Sequence, residues 1–169
     1  MHIILQTPRL ILRDWRSGDF EPFAAFAANE ITAKYVGGVM DKAAAWQDLT
    51  KVIGQWTLRG YGIWALEEKA TGALAGYAGI WHPFEWPEPE LGYALFAEAQ
   101  GRGLAFEGAA KAREHAASAW YLNPLVSYID PENTRSRRLA ERLGARLEGE
   151  RQMLGETGLV YRHPKVMPR

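Results

Sequence analysis

The sequence contains no cysteine among its 169 residues. Disulfide bonds, zinc sites built on thiolates and a cysteine nucleophile are therefore excluded. An excess of charge is also absent, because 20 lysine and arginine residues balance 20 aspartate and glutamate residues. A chain without net charge has no general electrostatic attraction for nucleic acid or for an acidic membrane surface. We therefore expect neither as a partner and look for a local binding site instead.

Long apolar runs are lacking as well. No segment approaches the ~20 apolar residues of a membrane span, and residues 1–8 lack the basic flank and apolar run of a signal peptide. We therefore expect a cytoplasmic protein. No stretch rich in proline, glycine, serine or charge of one sign divides the chain, so residues 1–169 are expected to form a single domain. Apolar residues make up 47% of the sequence, which is enough for a sizeable core.

Hydrophobic periodicity predicts strands and helices that alternate in the middle of the chain, with hairpins elsewhere. The predicted strands are residues 9–15, 61–66, 74–81, 90–96, 125–129, 146–154 and 159–163. The predicted helices are residues 20–28, a segment capped by Asp41 and stopped by Gly60, residues 104–119 and residues 134–143. Residues 29–40 look irregular, residues 82–89 carry three prolines and form a loop, and residues 155–158 form a turn. This order predicts a mixed sheet with helices packed against it.

A turn with two glycines, Gln100-Gly101-Arg102-Gly103-Leu104-Ala105, lies between a predicted strand and a predicted helix. The free N–H groups and the dipole at such a helix start favour an anion. Gly101 and Gly103 permit positive φ and close approach of a ligand, and Arg102 adds a charged donor. The P-loop pattern is absent, and Phe106 stands where a dinucleotide fingerprint needs glycine or alanine. The turn therefore predicts a different phosphate site, or has only a structural role.

The pattern Gln-x-x-Gly-x-Ala in this turn resembles the pyrophosphate-binding motif of the GNAT acetyltransferases. Further segments resemble the RimJ/RimL-type branch of that family, namely Thr7-Pro8-Arg9-Leu10-Ile11-Leu12-Arg13, Glu90-Leu91-Gly92-Tyr93, Asn133-Thr134-Arg135-Ser136 and Leu143-Gly144-Ala145. The resemblance implies the GNAT fold, of α/β (α+β) class, with a mostly antiparallel sheet of about seven strands and about four helices. It also implies that acetyl-CoA is the co-substrate, that an amine is the acceptor and that no metal is needed. A homodimer is compatible with the resemblance.

The resemblance assigns coenzyme A to the turn and to the strand before it. In the family the turn holds the pyrophosphate, which here implies Gln100, Gly101, Arg102, Gly103, Leu104 and Ala105. The backbone of the preceding strand binds the pantetheine arm and meets the thioester carbonyl, which here implies Leu95, Phe96 and Ala97. Asn133 can cap the next helix or reach the pantetheine amides. Three arginines can assist the phosphates or lie on a solvated helix face, namely Arg135, Arg137 and Arg138.

Ser136 is the expected proton donor. The apolar residues Leu139, Ala140 and Leu143 follow it at helical spacing, so its hydroxyl faces inward and needs a partner. That partner is a preceding carbonyl oxygen or a ligand. The matching serine of the family binds the coenzyme sulfur or protonates its thiolate. Ala140 stands where many members have a tyrosine, which leaves Ser136 as the remaining candidate.

Glu90 is the expected base. Related enzymes often place a carboxylate at this strand start, where it draws a proton from the amine through water, and a solvated glutamate is the alternative. Glu85 and His82 in the adjacent loop are weaker candidates. The family arrangement places four aromatic residues at the acceptor site, although they can equally be ordinary packing; they are Tyr35, Trp46, Phe84 and Trp86.

Taken together, these features predict an N-acetyltransferase. With no cysteine, direct attack of a primary amine on acetyl-CoA in a ternary complex is the natural route. The amine is a protein N-terminus or a small molecule. The alternative is a catalytically weak sensor or scaffold that binds acyl-CoA, because the tyrosine is missing. A nucleotide-binding protein unrelated to coenzyme A is disfavoured by the absent P-loop lysine and the absent third glycine.

Overall fold

A computed structural model describes residues 3–153 and 155–167. Within this part of the chain it contains eight strands and five α-helices. In chain order they are β1 Leu5–Gln6, β2 Leu10–Arg13, α1 Phe20–Ala28, α2 Glu30–Ala33, α3 Lys42–Arg59, β3 Ile63–Glu68, β4 Leu74–Trp81, β5 Glu90–Leu95, α4 Leu104–Ala119, β6 Val126–Ile129, α5 Thr134–Arg142, β7 Arg146–Met153 and β8 Glu156–Arg162.

The strands form one sheet in the order β1-β2-β3-β4-β5-β6-β8-β7. Among the strands of the described residues only the pair β5 and β6 is parallel, so the predicted mixed, mostly antiparallel sheet is confirmed. The sheet has one strand more than predicted, β1, which has two residues. The additional helix, α2, has four residues and is capped by Asn29, whose side chain accepts from the N–H groups of Ile31 and Thr32. Both elements are too short to show a hydrophobic period.

The last hairpin turns more tightly than its sequence predicts. Three of the four residues assigned to the turn pair with β7, because Glu156 lies opposite Met153 and Gly158 lies opposite Arg151. Gly155 has a φ of +87°, a left-handed conformation that reverses the chain in little space. The predicted turn over residues 155–158 is therefore wrong for residues 156–158. The predicted end of the preceding strand, Leu154, lies outside the described residues.

Helices cover both faces of the sheet near β5. On one face α4 lies close to the strands because its inward residues are small, including the buried Gly108, Ala109 and Ala112. A Cβ atom on Gly108 would lie 3.1 Å from a methyl carbon of Leu66, so a larger residue would push the helix away. On the other face α1 and α3 pack through a second cluster that includes Phe96. This arrangement fixes the position of α4 relative to β5.

No helix in residues 3–153 and 155–167 has both the length and the apolar character that crossing a membrane requires.

Candidate active site

Strands β5 and β6 are neighbours that pair at a single position. Glu90 pairs with Val126, and the N–H of Val126 donates to the carbonyl oxygen of Pro89 at 3.4 Å. No further backbone pair joins these two strands in the described part of the chain, although β5 continues to Leu95. The strands therefore separate and leave a gap, which lies between β5 and β6 on the way to the turn before α4.

The edge of β5 that faces this gap carries backbone groups that no described strand pairs with. The N–H of Phe96 donates to Ala75 on the β4 side, whereas the carbonyl oxygen of Leu95 accepts from the Gln100 side chain at 3.0 Å. Successive residues of a strand direct their backbone polar groups to opposite sides. Tyr93 and Leu95 therefore direct theirs into the gap, where an extended ligand can pair with them as a strand would.

The start of α4 is an anion site by geometry. Gly103 is the N-cap, with a φ of +79° and no side chain to accept from the first N–H groups. The first helical bond is donated by Glu107 to the carbonyl oxygen of Gly103. The N–H groups of Leu104 and Ala105 therefore have no acceptor within the helix. A Cβ atom at Gly101 would meet no atom within 4 Å, so a ligand has room to approach. These residues fit a pyrophosphate group.

The side chains around this turn are arranged differently from the sequence expectation. The guanidinium group of Arg102 forms an ion pair with both carboxylate oxygens of Glu68 in β3, and the carbonyl oxygen of Arg102 accepts from Arg9 at 2.7 Å. Arg135 donates to the Gln100 side chain at 2.8 Å and is exposed. Arg135 of α5 is therefore the arginine that accompanies Gln100, while Arg102 is held by Glu68.

A cavity of about 830 Å³ lies beside the gap. Its wall includes Tyr35 and Trp86, which were predicted for the acceptor site, and Asn133 and Ser136 from the start of α5. Five carboxylates line it against two lysines, and the charged residues are Asp48, Glu85, Glu90, Asp130, Glu156, Lys34 and Lys51. An acidic and aromatic wall favours a cationic ligand.

Glu90 is partly buried and accepts two hydrogen bonds at the head of the gap. Its Oε2 accepts from Trp86 Nε1 at 2.6 Å, and its Oε1 accepts from the N–H of Tyr128 at 3.2 Å. Burial raises the pKa of Glu90 to about 7 and outweighs these bonds, which favour the charged form. A carboxyl group that titrates near neutral pH and faces a cavity is suited to general-base catalysis.

Ser136 lines the same cavity and is partly buried. Its N–H donates to Asn133 Oδ1 at 3.1 Å, so Asn133 caps α5. The carbonyl oxygen of Ser136 accepts from the hydroxyl of Tyr93 at 3.2 Å. Burial raises the pKa of Tyr93, which therefore stays neutral. Ala140 is fully buried in the core one turn later and has no hydroxyl, so Ser136 is the hydroxyl-bearing residue of α5 among the described residues that line the cavity.

Two of the predicted acceptor residues lie away from this cavity. Trp46 is 55% exposed on α3 and packs edge-on against Phe20, with ring centroids 5.0 Å apart. Phe84 is 95% exposed in the loop between β4 and β5. Neither belongs to the described residues that line the cavity. In the same loop His82 binds the hydroxyl of Tyr61 at 2.7 Å, whereas Glu85 does line the cavity.

Sequence reasoning missed several residues of the cavity wall, including Asp48, Tyr77 and Ser127. Burial raises the pKa of Asp48 and, more strongly, that of Tyr77. The sequence did contain a sign of the role of Ser127, because a serine and a tyrosine are the two residues with hydroxyl groups in the otherwise apolar run Leu125-Val126-Ser127-Tyr128-Ile129.

No group of three or more potential metal ligands is present in residues 3–153 and 155–167.

Comparison with known proteins places this chain in a family. Residues 9–146 match the family model described as an acetyltransferase (GNAT) domain. The Bacillus subtilis (strain 168) protein named uncharacterized N-acetyltransferase YoaA is 30% identical over 166 residues, which cover 95% of this chain and 93% of that protein.

Solved structures share the fold. An acetyltransferase from Agrobacterium tumefaciens C58 has a TM-score of 0.89 and 34% identity, and the match covers 96% of this chain and 95% of that one. RimL, named as a ribosomal L7/L12 alpha-N-protein acetyltransferase in complex with coenzyme A, has a TM-score of 0.79 and 17% identity, with coverage of 96% and 98%. The second likeness concerns the fold alone.

Proposed function

This chain belongs to the GNAT family and is an acetyl-CoA-dependent N-acetyltransferase, and we propose that its acceptor is a primary amine that attacks acetyl-CoA directly in a ternary complex. One observation carries the proposal. The partly buried carboxylate of Glu90, with a pKa raised to about 7, lies where the acidic cavity meets the gap between β5 and β6. A base in this position is suited to deprotonate an amine beside a ligand held in the gap.

Acetyl-CoA fits the gap and the turn. The N–H groups at the start of α4, within Gln100 to Ala105, would hold its pyrophosphate. The edge of β5 at Tyr93 and Leu95, which no described strand pairs with, would hold the pantetheine arm, with Asn133 beside it. The coenzyme supplies an acetyl group activated as a thioester. Arg135 is placed to assist the phosphates from α5, since it already contacts Gln100.

Two side chains carry out proton transfers in the proposed reaction. Glu90 takes a proton from the ammonium form of the acceptor, directly or through water, and leaves a free amine. The nitrogen then forms a bond with the thioester carbon while the carbon–sulfur bond breaks. The nitrogen then loses its second proton to solvent, which gives the neutral amide. The hydroxyl of Ser136 gives its proton to the departing sulfur and regains one from solvent, and Glu90 releases its proton to solvent. Neither step requires a covalent link between the acetyl group and this chain, which contains no cysteine.

The acceptor is proposed to be cationic before it reacts. Five carboxylates and two lysines line the cavity, and aromatic rings such as Tyr35 and Trp86 lie beside them. This wall suits a protein N-terminus or a small-molecule amine. We place the chain in the RimJ/RimL-like branch on its motifs, and RimL, whose name specifies an alpha-N-protein acceptor, shares the fold.

The wider setting follows from the same proposal. We propose that residues 1–169 act as one domain in the cytoplasm, with acetyl-CoA and an amine as partners and without nucleic acid or a membrane. The resemblance allows a homodimer. A second candidate function is an acyl-CoA sensor or scaffold without turnover, which is favoured by the buried Ala140 at the position where many members carry a tyrosine.

Release of free coenzyme thiol separates these two functions. The chain is incubated with acetyl-CoA and a panel of amines that includes peptides with free N-termini, monoamines and diamines. The enzyme is expected to release thiol only when an accepted amine is present. The sensor would bind acetyl-CoA, detected as a raised melting temperature, and release no thiol with any amine.

Replacing Ser136 with alanine is expected to lower kcat by about tenfold to a hundredfold, because the departing sulfur loses its proton donor. The dissociation constant for coenzyme A is expected to stay within about twofold of the wild type, since Asn133 and the turn are unchanged. Steady-state kinetics and calorimetry check the two parts. Ser118→Ala is the matched control, because Ser118 is an exposed serine of α4 that bonds the carbonyl oxygen of Glu114. A wild-type kcat in Ser136→Ala would remove Ser136 from the mechanism.

A further inference from the structure

Two side chains end the pairing between β5 and β6. The first backbone bond of this pair joins residues 126 and 89, so a regular parallel ladder would next join the N–H of Tyr128 to the carbonyl oxygen of Leu91. Both groups have other partners instead. The N–H of Tyr128 donates to the Glu90 carboxylate at 3.2 Å, and the oxygen of Leu91 accepts from Ser127 Oγ at 2.7 Å. The strands separate here because side chains replace the backbone bond.

Ser127 is held by a buried chain of hydrogen bonds. Ser127 is 2% exposed and His163 is 1% exposed. His163 Nε2 lies 3.0 Å from Ser127 Oγ, and His163 Nδ1 lies 3.2 Å from Arg113 Nη1. Since a guanidinium group only donates, Nδ1 accepts and the ring proton lies on Nε2. His163 therefore donates to Ser127, whose own proton goes to the oxygen of Leu91.

This direction excludes a nucleophilic role for Ser127. A histidine that activates a serine must accept the hydroxyl proton, whereas His163 donates to it. Burial lowers the pKa of His163 to about 4, so the ring stays neutral and keeps this tautomer near pH 7. The serine and histidine therefore hold the strand and do not form a catalytic pair.

The chain of bonds also connects the elements that carry the coenzyme site. Arg113 belongs to α4, whose first turn is the proposed pyrophosphate site, and it donates to the carbonyl oxygen of Leu143 at 2.7 Å just after α5. His163 follows β8, and Ser127 belongs to β6. One network of hydrogen bonds, buried at Ser127 and His163 and partly buried at Arg113, thus fixes α4, the end of α5 and the separation of β5 from β6 relative to one another.

We propose that Ser127, oriented by His163 and Arg113, is a positioning residue that keeps β5 and β6 apart where the pantetheine arm of acetyl-CoA enters. The inference rests on the proposed function, which places the arm in this gap. Without the hydroxyl, the oxygen of Leu91 becomes free to accept from Tyr128. The strands then pair further, the gap closes, and Glu90 loses one of its two hydrogen-bond donors.

Ser127→Ala tests this role in the full-length chain. The dissociation constant for acetyl-CoA is expected to rise about tenfold or more, the range expected when a buried hydrogen bond is lost. Turnover with saturating coenzyme is expected to fall as well, because Glu90 is no longer held. Ser118→Ala again serves as the control and is expected to match the wild type in both measurements. The melting temperature is measured in parallel, to separate coenzyme binding from folding.

A pair of variants at His163 keeps the test valid if Ser127→Ala folds poorly. His163→Gln retains an N–H group that can donate to Ser127, whereas His163→Leu has similar bulk and no donor. Coenzyme affinity in His163→Gln is expected to lie closer to the wild type than in His163→Leu. If the variants lower only the melting temperature, and coenzyme affinity and turnover remain within twofold of the wild type, the positioning role is overturned. If the wild type itself fails to bind acetyl-CoA, the proposed function fails instead.

Discussion

Replacing Glu90 with glutamine is expected to lower kcat/KM at pH 7 by about a hundredfold or more, because the amine loses its base. Glutamine has nearly the same shape but cannot take a proton. Glu90 accepts from two donors, Trp86 Nε1 and the N–H of Tyr128. In the glutamine variant one of these donors faces an amide N–H group and loses its acceptor. Thiol release at several amine concentrations measures the change, and an unchanged melting temperature shows that the fold persists.

The dependence of kcat/KM on pH tests the same role of Glu90. The base must be ionised, and burial raises the pKa of Glu90 to about 7. Wild-type kcat/KM is therefore expected to rise with pH through about 7 and to level off above it. Glu90→Gln is expected to lose this rise. Glu85→Gln is the matched control, since Glu85 lines the same cavity and should leave the rise intact. A Glu90→Gln variant that keeps the wild-type profile would contradict the assignment of the base.

Replacing Gly103 with valine is expected to weaken acetyl-CoA binding by tenfold or more. Gly103 has a φ of +79°, where a side chain with a Cβ atom costs about 1–2 kcal/mol, and a β-branched residue fits worst. The new side chain would also crowd the N–H groups that face the pyrophosphate. Calorimetric titration with acetyl-CoA measures the loss of affinity.

Gly72→Val provides the matched control for this substitution. Gly72 has a φ of +71° in the turn between β3 and β4, and a Cβ atom there would meet no atom within 4 Å. The two variants therefore share the backbone cost and differ in their distance from the proposed coenzyme site. Both are expected to lose stability, and only Gly103→Val is expected to lose affinity. Equal affinity in the two variants would show that the turn does not contact the coenzyme.

The parts of the site that rest on local sequence were predictable. A strand that ends before glycines, followed by a helix with small residues on one face, fixes the start of α4 without knowledge of distant contacts. Gly101 and Gly103 do adopt positive φ, and Asn133 does cap α5, because each depends only on neighbouring residues. The order of strands and helices is encoded in the same local way.

The parts that depend on distant contacts were not predictable. Arg102 is an expected phosphate ligand by its position in the turn, yet Glu68 of β3 pairs with it. Burial of the Glu90 carboxylate, and hence its raised pKa, depends on how Trp86 and Tyr128 cover it. The bond between Ser127 and His163 joins residues 36 positions apart. Nothing in the local spacing of these residues indicates that they meet.

Strand β5 connects the two halves of the proposed reaction. Glu90 starts the strand at the cavity, and the edge at Tyr93 and Leu95, which no described strand pairs with, continues toward the turn that begins α4. An acetyl group delivered along this edge would therefore arrive beside the base. A change in the separation of β5 and β6 is expected to affect both coenzyme affinity and the orientation of Glu90.

Calorimetric titration of the unmodified chain with acetyl-CoA, with ATP as a parallel ligand, tests the central claim most directly. The structure predicts saturable binding of acetyl-CoA at one site per chain and no comparable binding of ATP. Absence of acetyl-CoA binding at millimolar concentration, or equal binding of ATP, would contradict the claim that the start of α4 and the gap between β5 and β6 form a coenzyme A site.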